Sequence, residues 1–484
     1  MRSLLFMLLL FAGTMWSQQT SRQTNATQNV TQNATQNVTQ NVTQNVTQED
    51  PPDEIGKLKK NCPFKHLIGC AEVLFTGQPL HIAVGSIAPQ NGFGAGLAYV
   101  GHKTTDNWRT SWSADAIASS NGSWRAGLYM KFVDTHMNAP EVVFGTGTAE
   151  ASDFPVYTEQ PVFNLYVQST SLNKLTFFGE GPGTTAAGRS FFGMTEHIAG
   201  GNMIRPVYQR LNMGFYAELN VRMVDVRPNR NQDSPSIKQL YTPLEAPGLN
   251  TQPFFFQPGV GIRMRPSAFN NLLHFNYDVA YRPYWATSDK LSFQKLTADL
   301  YQEISLYHTN MRVARDTNGP NDCVIDPTAD NKKCPKVTMR SMEGTLGLRA
   351  FTSLSMTPGG NTVPFYLQPT LGGSDLNGNP SLPSYQDYRF RAPNILLFRE
   401  NFEHSLGNLP LGFTLLADQA KLALTRGDLG SNHWVHSYAA GVTLRAGGFP
   451  QVSLLFAFGG KEGTHTTVHV NNSLLGTSGR PSLF

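Results

Sequence analysis

The stretch Leu211-Asn212-Met213-Gly214-Phe215-Tyr216-Ala217-Glu218-Leu219-Asn220-Val221-Arg222-Met223 decides the fold class of this chain. Every odd position is apolar: Leu211, Met213, Phe215, Ala217, Leu219, Val221 and Met223. The even positions include Asn212, Glu218, Asn220 and Arg222. Successive side chains of a strand point to opposite faces, so this period of two marks a strand with one apolar and one polar face. The usual strand of a soluble protein is about five or six residues long, and this alternation is twice that.

The pattern recurs along the chain. Trp108, Trp112, Ala114, Ala116 and Ala118 share one face, interrupted by Thr110. After a turn that contains Asn121-Gly122, Trp124, Ala126, Leu128, Met130 and Phe132 share one face again, with Arg125, Tyr129 and Lys131 opposite. An Asn-Gly turn between alternating runs predicts a β-hairpin. Near the end, Val452, Leu454, Phe456 and Phe458 face one way, and Thr466, Val468 and Val470 oppose His465, Thr467 and His469. Long strands with one apolar and one polar face predict an all-β fold, a transmembrane antiparallel β-barrel. In hydrocarbon every backbone amide has to be paired, which requires such a sheet to close. Residues 79–484, at roughly 25 residues per strand and connection, give about 16 strands. The aromatic groups Phe254-Phe255-Phe256 and Tyr281–Trp285 read as interfacial girdle residues.

Composition agrees with this reading. The chain has 484 residues, with 40% hydrophobic and only 15% charged, and it carries 44 Gly, 30 Phe and 16 Tyr. A soluble domain carries about 25% charged residues. Beyond the first fifteen or so residues, no stretch approaches the roughly 20 apolar residues of a membrane-spanning helix. A net charge of +4 without a Lys/Arg cluster offers nothing to a nucleic acid.

Residues 1–17 read as a secretory signal, with Arg2 ahead of the short apolar run Leu4–Ala12. No Cys follows that run, which argues against a lipid anchor. Residues 18–78 read as a disordered tail and linker. Within it, Asn25–Gln48 is six tetrapeptides of the form Asn-(Ala/Val)-Thr-Gln, too polar to offset chain entropy by burial. Export makes disulfides available, and the four cysteines form two local pairs, Cys62/Cys70 and Cys323/Cys334. Such short loops would each be stabilised by roughly 3 kcal/mol.

Motifs in the last hundred or so residues carry a family resemblance. Pro364-Phe365-Tyr366-Leu367-Gln368-Pro369-Thr370-Leu371-Gly372-Gly373 looks like a strand that enters a large inward-folding loop. Tyr388-Arg389-Phe390-Arg391-Ala392-Pro393-Asn394-Ile395-Leu396-Leu397 looks like the strand that leaves it. Leu415-Leu416-Ala417-Asp418-Gln419-Ala420 is similar to an "FVDAG" strand, and Gly441–Arg445, Ala457–Gly460 and His465–Leu475 are similar to the three that end the domain. Phe178-Gly179-Glu180-Gly181-Pro182 and Gly92-Phe93-Gly94-Ala95-Gly96 look like further elements. Together they resemble the bacterial surface-antigen domain, the barrel of the BamA/TamA superfamily, in its branch without polypeptide-transport-associated domains.

The resemblance implies a location in the bacterial outer membrane and a part in its biogenesis, inserting barrels or moving polypeptide or lipid. The partners would be outer-membrane lipid and client polypeptides, and the barrel would be a monomer. The implied mechanism is non-covalent. A weak seam between the first strand (about Leu80–Ile87, with Ile82 and Val84) and the last (His465–Leu475, with Thr466, Val468 and Val470) would open and offer unpaired edges. The long loop would act as a plug. Its signature in the family is "[VL]-R-G-[FY]", aligned here with Leu382-Pro383-Ser384-Tyr385, so the Arg and Gly are missing. In relatives that Arg pairs with the acid of the "FVDAG" strand, here Asp418. Arg389 or Arg391 is therefore expected to supply the counter-charge. A passive pore or structural barrel without translocase function is the alternative, favoured by the missing Arg.

No enzyme, cofactor or metal is expected. His465 and His469 lie near Glu462 without a tightly clustered third ligand. His433 and His436 flank Trp434 in a polar loop, and Gly181-Pro182-Gly183 lacks the Lys-Ser/Thr of a phosphate loop.

Overall fold

A computed structural model of the chain describes residues 80–105, 107–134, 161–228, 235–269, 272–314, 337–406, 409, 411–446 and 449–470. The expected signal and the Asn-Thr-Gln tract lie outside these residues. So do Cys62, Cys70, Cys323 and Cys334. The expected disulfides Cys62–Cys70 and Cys323–Cys334 are therefore not shown, and the described residues include no cysteine, paired or free.

Among the described residues, the alternating runs become sixteen strands of seven residues or more. They are β1 (Leu80–Ser86), β2 (Phe93–Thr104), β3 (Trp108–Ser119), β4 (Trp124–Asp134), β5 (Val162–Phe177), β6 (Ser190–Tyr208), β7 (Met213–Pro228) and β8 (Phe254–Met264). The second half comprises β9 (Leu273–Ala286), β10 (Phe293–Ala314), β11 (Val337–Met356), β12 (Asn394–Ser405), β13 (Leu411–Ala423), β14 (Val435–Ala446), β15 (Phe449–Gly460) and β16 (Gly463–Val470).

Each strand pairs antiparallel with the next, from β1–β2 to β15–β16. A two-residue strand, Ser267–Ala268, caps the start of β9. The β3–β4 hairpin turns at Asn121-Gly122 as the sequence predicts. Among the described residues, ladder pairing joins β1 only to β2 and β16 only to β15.

Burial is inverted relative to a soluble protein. On β7, Phe215, Leu219 and Met223 are exposed, whereas Asn220 and Arg222 are buried. On other strands, Leu128, Leu165, Val167, Val260 and Phe456 are exposed, whereas Asp115, Gln168, Glu196 and Gln257 are buried. The apolar face points outward and the polar face inward, as in a sheet solvated by lipid. Several strands are longer than the roughly 9–11 residues needed to cross the bilayer at a tilt.

The connection from β11 to β12, residues 357–393, runs inside the sheet. It bonds to the β1–β2 turn, where Tyr388 Oη donates to the Pro89 carbonyl at 2.8 Å. It also bonds to the β9–β10 turn, where Asn361 Nδ2 donates to Ser292 O at 2.9 Å. On the far side it reaches β14, where the Ser384 amide donates to Ser437 Oγ at 2.8 Å. A loop that touches the start, middle and end of one ladder has that ladder rolled around it. Over the described residues the architecture is thus an all-β, sixteen-stranded antiparallel barrel around a plug, with a seam that no ladder among those residues bridges.

Two details differ from the sequence reading. Pro364–Gly373 is not a strand that enters the loop. β11 ends at Met356, Phe365–Leu367 forms a short 3-10 turn, and Thr370–Leu371 pairs only with Phe390–Arg391. Pro364 and Pro369 lack amide donors, and Gly372 has φ +104°, so the segment cannot continue a ladder. The aromatic runs also split between faces. Phe254, Phe256 and Trp285 are exposed, whereas Phe255 and Tyr284 are fully buried, since neighbours in a strand alternate.

Candidate functional site

The plug is seated first by apolar packing. At its end of the barrel the inward positions change from polar to apolar, with Leu172, Leu175, Phe177, Phe192, Val224 and Phe293 buried. Phe365, Tyr366 and Leu367 insert among them with no exposed surface. Phe365 meets Phe177 and Phe192 edge-on, with ring centroids 5.1 and 5.2 Å apart. Full burial of each such side chain stabilises the seat by about 1.5–3 kcal/mol.

The second anchor is Asp418, fully buried on β13. Arg399 on β12 holds it in a two-pronged pair, with both bonds at 2.7 Å. The Leu382 amide donates to the same carboxylate at 2.6 Å. The expected partners Arg389 and Arg391 are therefore not its counter-charge. Arg399 and Asp418 stand directly opposite in the β12–β13 register, and directly paired residues need the least reach. The degenerate signature Leu382-Pro383-Ser384-Tyr385 still lies at this wall. Leu382 takes a left-handed backbone (φ +45°) that aims its amide at Asp418. A main-chain donor and a neighbouring strand's guanidinium thus meet the carboxylate.

Arg389 and Arg391 serve the plug elsewhere. Arg389 pairs with Glu462 in the β15–β16 turn at 2.5 Å and donates to Thr184 Oγ1 and O at 2.9 and 2.8 Å. Arg391 donates to the Phe365 carbonyl at 2.6 Å, which staples the 3-10 turn. Nearby, Glu180 accepts from Gln368 Nε2 at 2.6 Å. Burial pushes the Glu180 carboxyl up to about 8, with the Gln368 bond and the Arg391 charge opposing. The same burial brings Arg391 down to about 10.

Beyond the plug, the inward faces carry cross-strand ion pairs. Arg263–Asp278 (2.8 Å), Arg282–Glu218 (2.5 Å) and Arg349–Asp299 (2.7 Å) are three of them. They border a cavity of about 580 Å³ between the barrel wall and plug residues Thr370–Ser381. Lys295, also on its wall, is buried and donates to the Leu367 carbonyl at 2.8 Å. The seam positions Ile82 and Val84 stand opposite Leu97 and Ala95, and Thr466, Val468 and Val470 stand opposite Phe456, Leu454 and Val452. Leu97, Leu454 and Phe456 are exposed, so this register places Ile82, Thr466 and Val468 on the lipid face.

No family model and no curated protein matches the sequence. The chain is similar in structure to BamA from Haemophilus ducreyi lacking POTRA domains 1–3, with 10% identity and a TM-score of 0.45, over 81% of this chain and 68% of that one. It is also similar to CdiB from Acinetobacter baumannii, with 11% identity and a TM-score of 0.43, over 80% and 58% of the two chains. CdiB from Escherichia coli gives 12% identity and a TM-score of 0.44, over 81% and 62%. The chain thus spans less than two thirds of either CdiB.

Sequence reasoning missed Arg399, Glu462, Glu180 and Gln368 as anchors of the plug. Arg399 was within reach of it, because Arg399 and Asp418 are equidistant from the turn of one hairpin. Glu180, Gln368 and Glu462 are far apart in the chain, and only the folded plug brings them to their partners. Among the described residues, no group of three His, Cys, Asp or Glu side chains could hold a metal. Glu462, weighed as a metal ligand, is the ion-pair partner of Arg389. The site offers hydrogen-bond donors, a lipid face and two strand edges.

Proposed function

We propose that this chain is a bacterial outer-membrane barrel of the assembly and translocation kind, acting on client polypeptides or lipid by opening its seam laterally. The observation that carries this reading is the pair of edges on β1 and β16, each with ladder partners on one side only among the described residues. A row of unpaired N–H and C=O groups is a template for an added strand, and in a membrane it is costly until paired. A client strand that pairs there would gain main-chain hydrogen bonds without any covalent step. The plug supports the same reading, since an internal stopper lets the seam open without a standing leak.

The passive or structural barrel remains the second reading, favoured by the lost signature Arg at Pro383. Cysteines at Ile82 and Val468, oxidised to bridge the seam, separate the two. In proteoliposomes, the bridged protein should lose stimulation of client-barrel insertion and regain it on reduction. Full stimulation with the seam locked would contradict lateral opening. Absence of stimulation in both states would favour the passive barrel.

A further inference from the structure

We infer that plug residues Tyr385–Arg389 form a clasp across the seam, bonding the β1–β2 turn on one side and the β15–β16 turn on the other. Toward the first strands, Tyr388 Oη donates to Pro89 O at 2.8 Å, and Gln90 Nε2 donates to Asp387 O at 3.4 Å. Toward the last strands, Arg389 pairs with Glu462 at 2.5 Å, and the Lys461 amide donates to Tyr385 Oη at 3.3 Å. Five consecutive residues thus hold both lips of a junction that the ladder leaves unpaired among the described residues.

The fit is close and strained. A Cβ on Gly460 would come within 2.6 Å of Ser384 Oγ and 2.9 Å of a Tyr385 ring carbon, so the last hairpin lies directly against the clasp. Gln90 and Tyr388 both take left-handed backbones, with φ +65° and +59°, although neither is glycine. Such residues persist where surrounding contacts over-determine them, and they gather at clamps and switches. The two that bear the first-strand side of the clasp are of this kind. A clasp of this sort would couple release of the plug to opening of the seam.

The inference deepens the lateral-seam reading and rests on it for its meaning, but its test involves no client. Hydrogen exchange of the full chain in liposomes, followed by mass spectrometry, reports the amides of β1 and β16 directly. Tyr388→Phe cuts only the first-strand side, and Glu462→Gln weakens only the last-strand side. In a clasp the two links act in series, so each variant should speed exchange in both β1 and β16. The expected change is about fivefold, the worth of one net hydrogen bond. The double variant should add little, and the β6–β7 hairpin should not change. Each variant acting on its own strand alone, or neither strand responding, would overturn the clasp. An insertion assay can fail while this exchange pattern holds, and the reverse, so the two claims are separable.

Discussion

At the scale of single residues, Asp418 shows how this fold meets a buried carboxylate. A buried carboxylate without partners costs several kcal/mol, and here Arg399 and the Leu382 amide compensate it. Arg399→Met should therefore lower the unfolding free energy by about 3–5 kcal/mol, because it leaves the carboxylate unpaired. Adding Asp418→Asn to that variant should recover most of the loss. Urea unfolding in micelles, followed by tryptophan fluorescence, measures both, and a loss below about 1 kcal/mol would show the pair to be dispensable. The importance of Asp418 was legible in the sequence, and its partner was not. Arg389 and Arg391 were chosen for their place in a motif, whereas the strand register selects Arg399.

At the scale of elements, the strands announce themselves and the plug does not. Alternation has a period, so β3, β4, β7 and β15 are readable from their side chains alone. The plug has no period. Its Pro and Gly residues suppress one, and Phe365–Leu367 are apolar because they enter a core formed by distant strands. The same distance hid the contact of Glu180 with Gln368 and Arg391. Burial of that carboxyl, against the pull of its two partners, makes the seating of the plug depend on pH. The folded carboxyl of Glu180 lies near 8, above its ordinary 4.5, so the native plug favours the protonated form. Its contribution is complete below about 4.5 and is lost as pH rises toward 8. Unfolding midpoints at pH 5 and pH 8 should show this decline in the wild type and a flatter profile in Glu180→Gln. Equal slopes in the two proteins would rule Glu180 out as the cause.

At the scale of the whole molecule, the exposed apolar face, the polar interior and the rolled ladder are one arrangement. Its outline was visible in the composition. A chain with 15% charge and long alternating strands falls well short of the roughly 25% charge of an ordinary soluble domain. The seam was visible only as an implication of resemblance, because no single strand reveals which neighbour it lacks. The central claim is that residues 357–393 stopper a lipid-embedded barrel. Single-channel conductance in planar bilayers tests it most directly, comparing the wild type with a variant in which residues 361–388 are replaced by a short Gly-Ser bridge. The wild type should be closed or flicker at low conductance, and the variant should open to a large, steady level. A wild type that conducts steadily, at a level unchanged by removing the plug, would contradict the account.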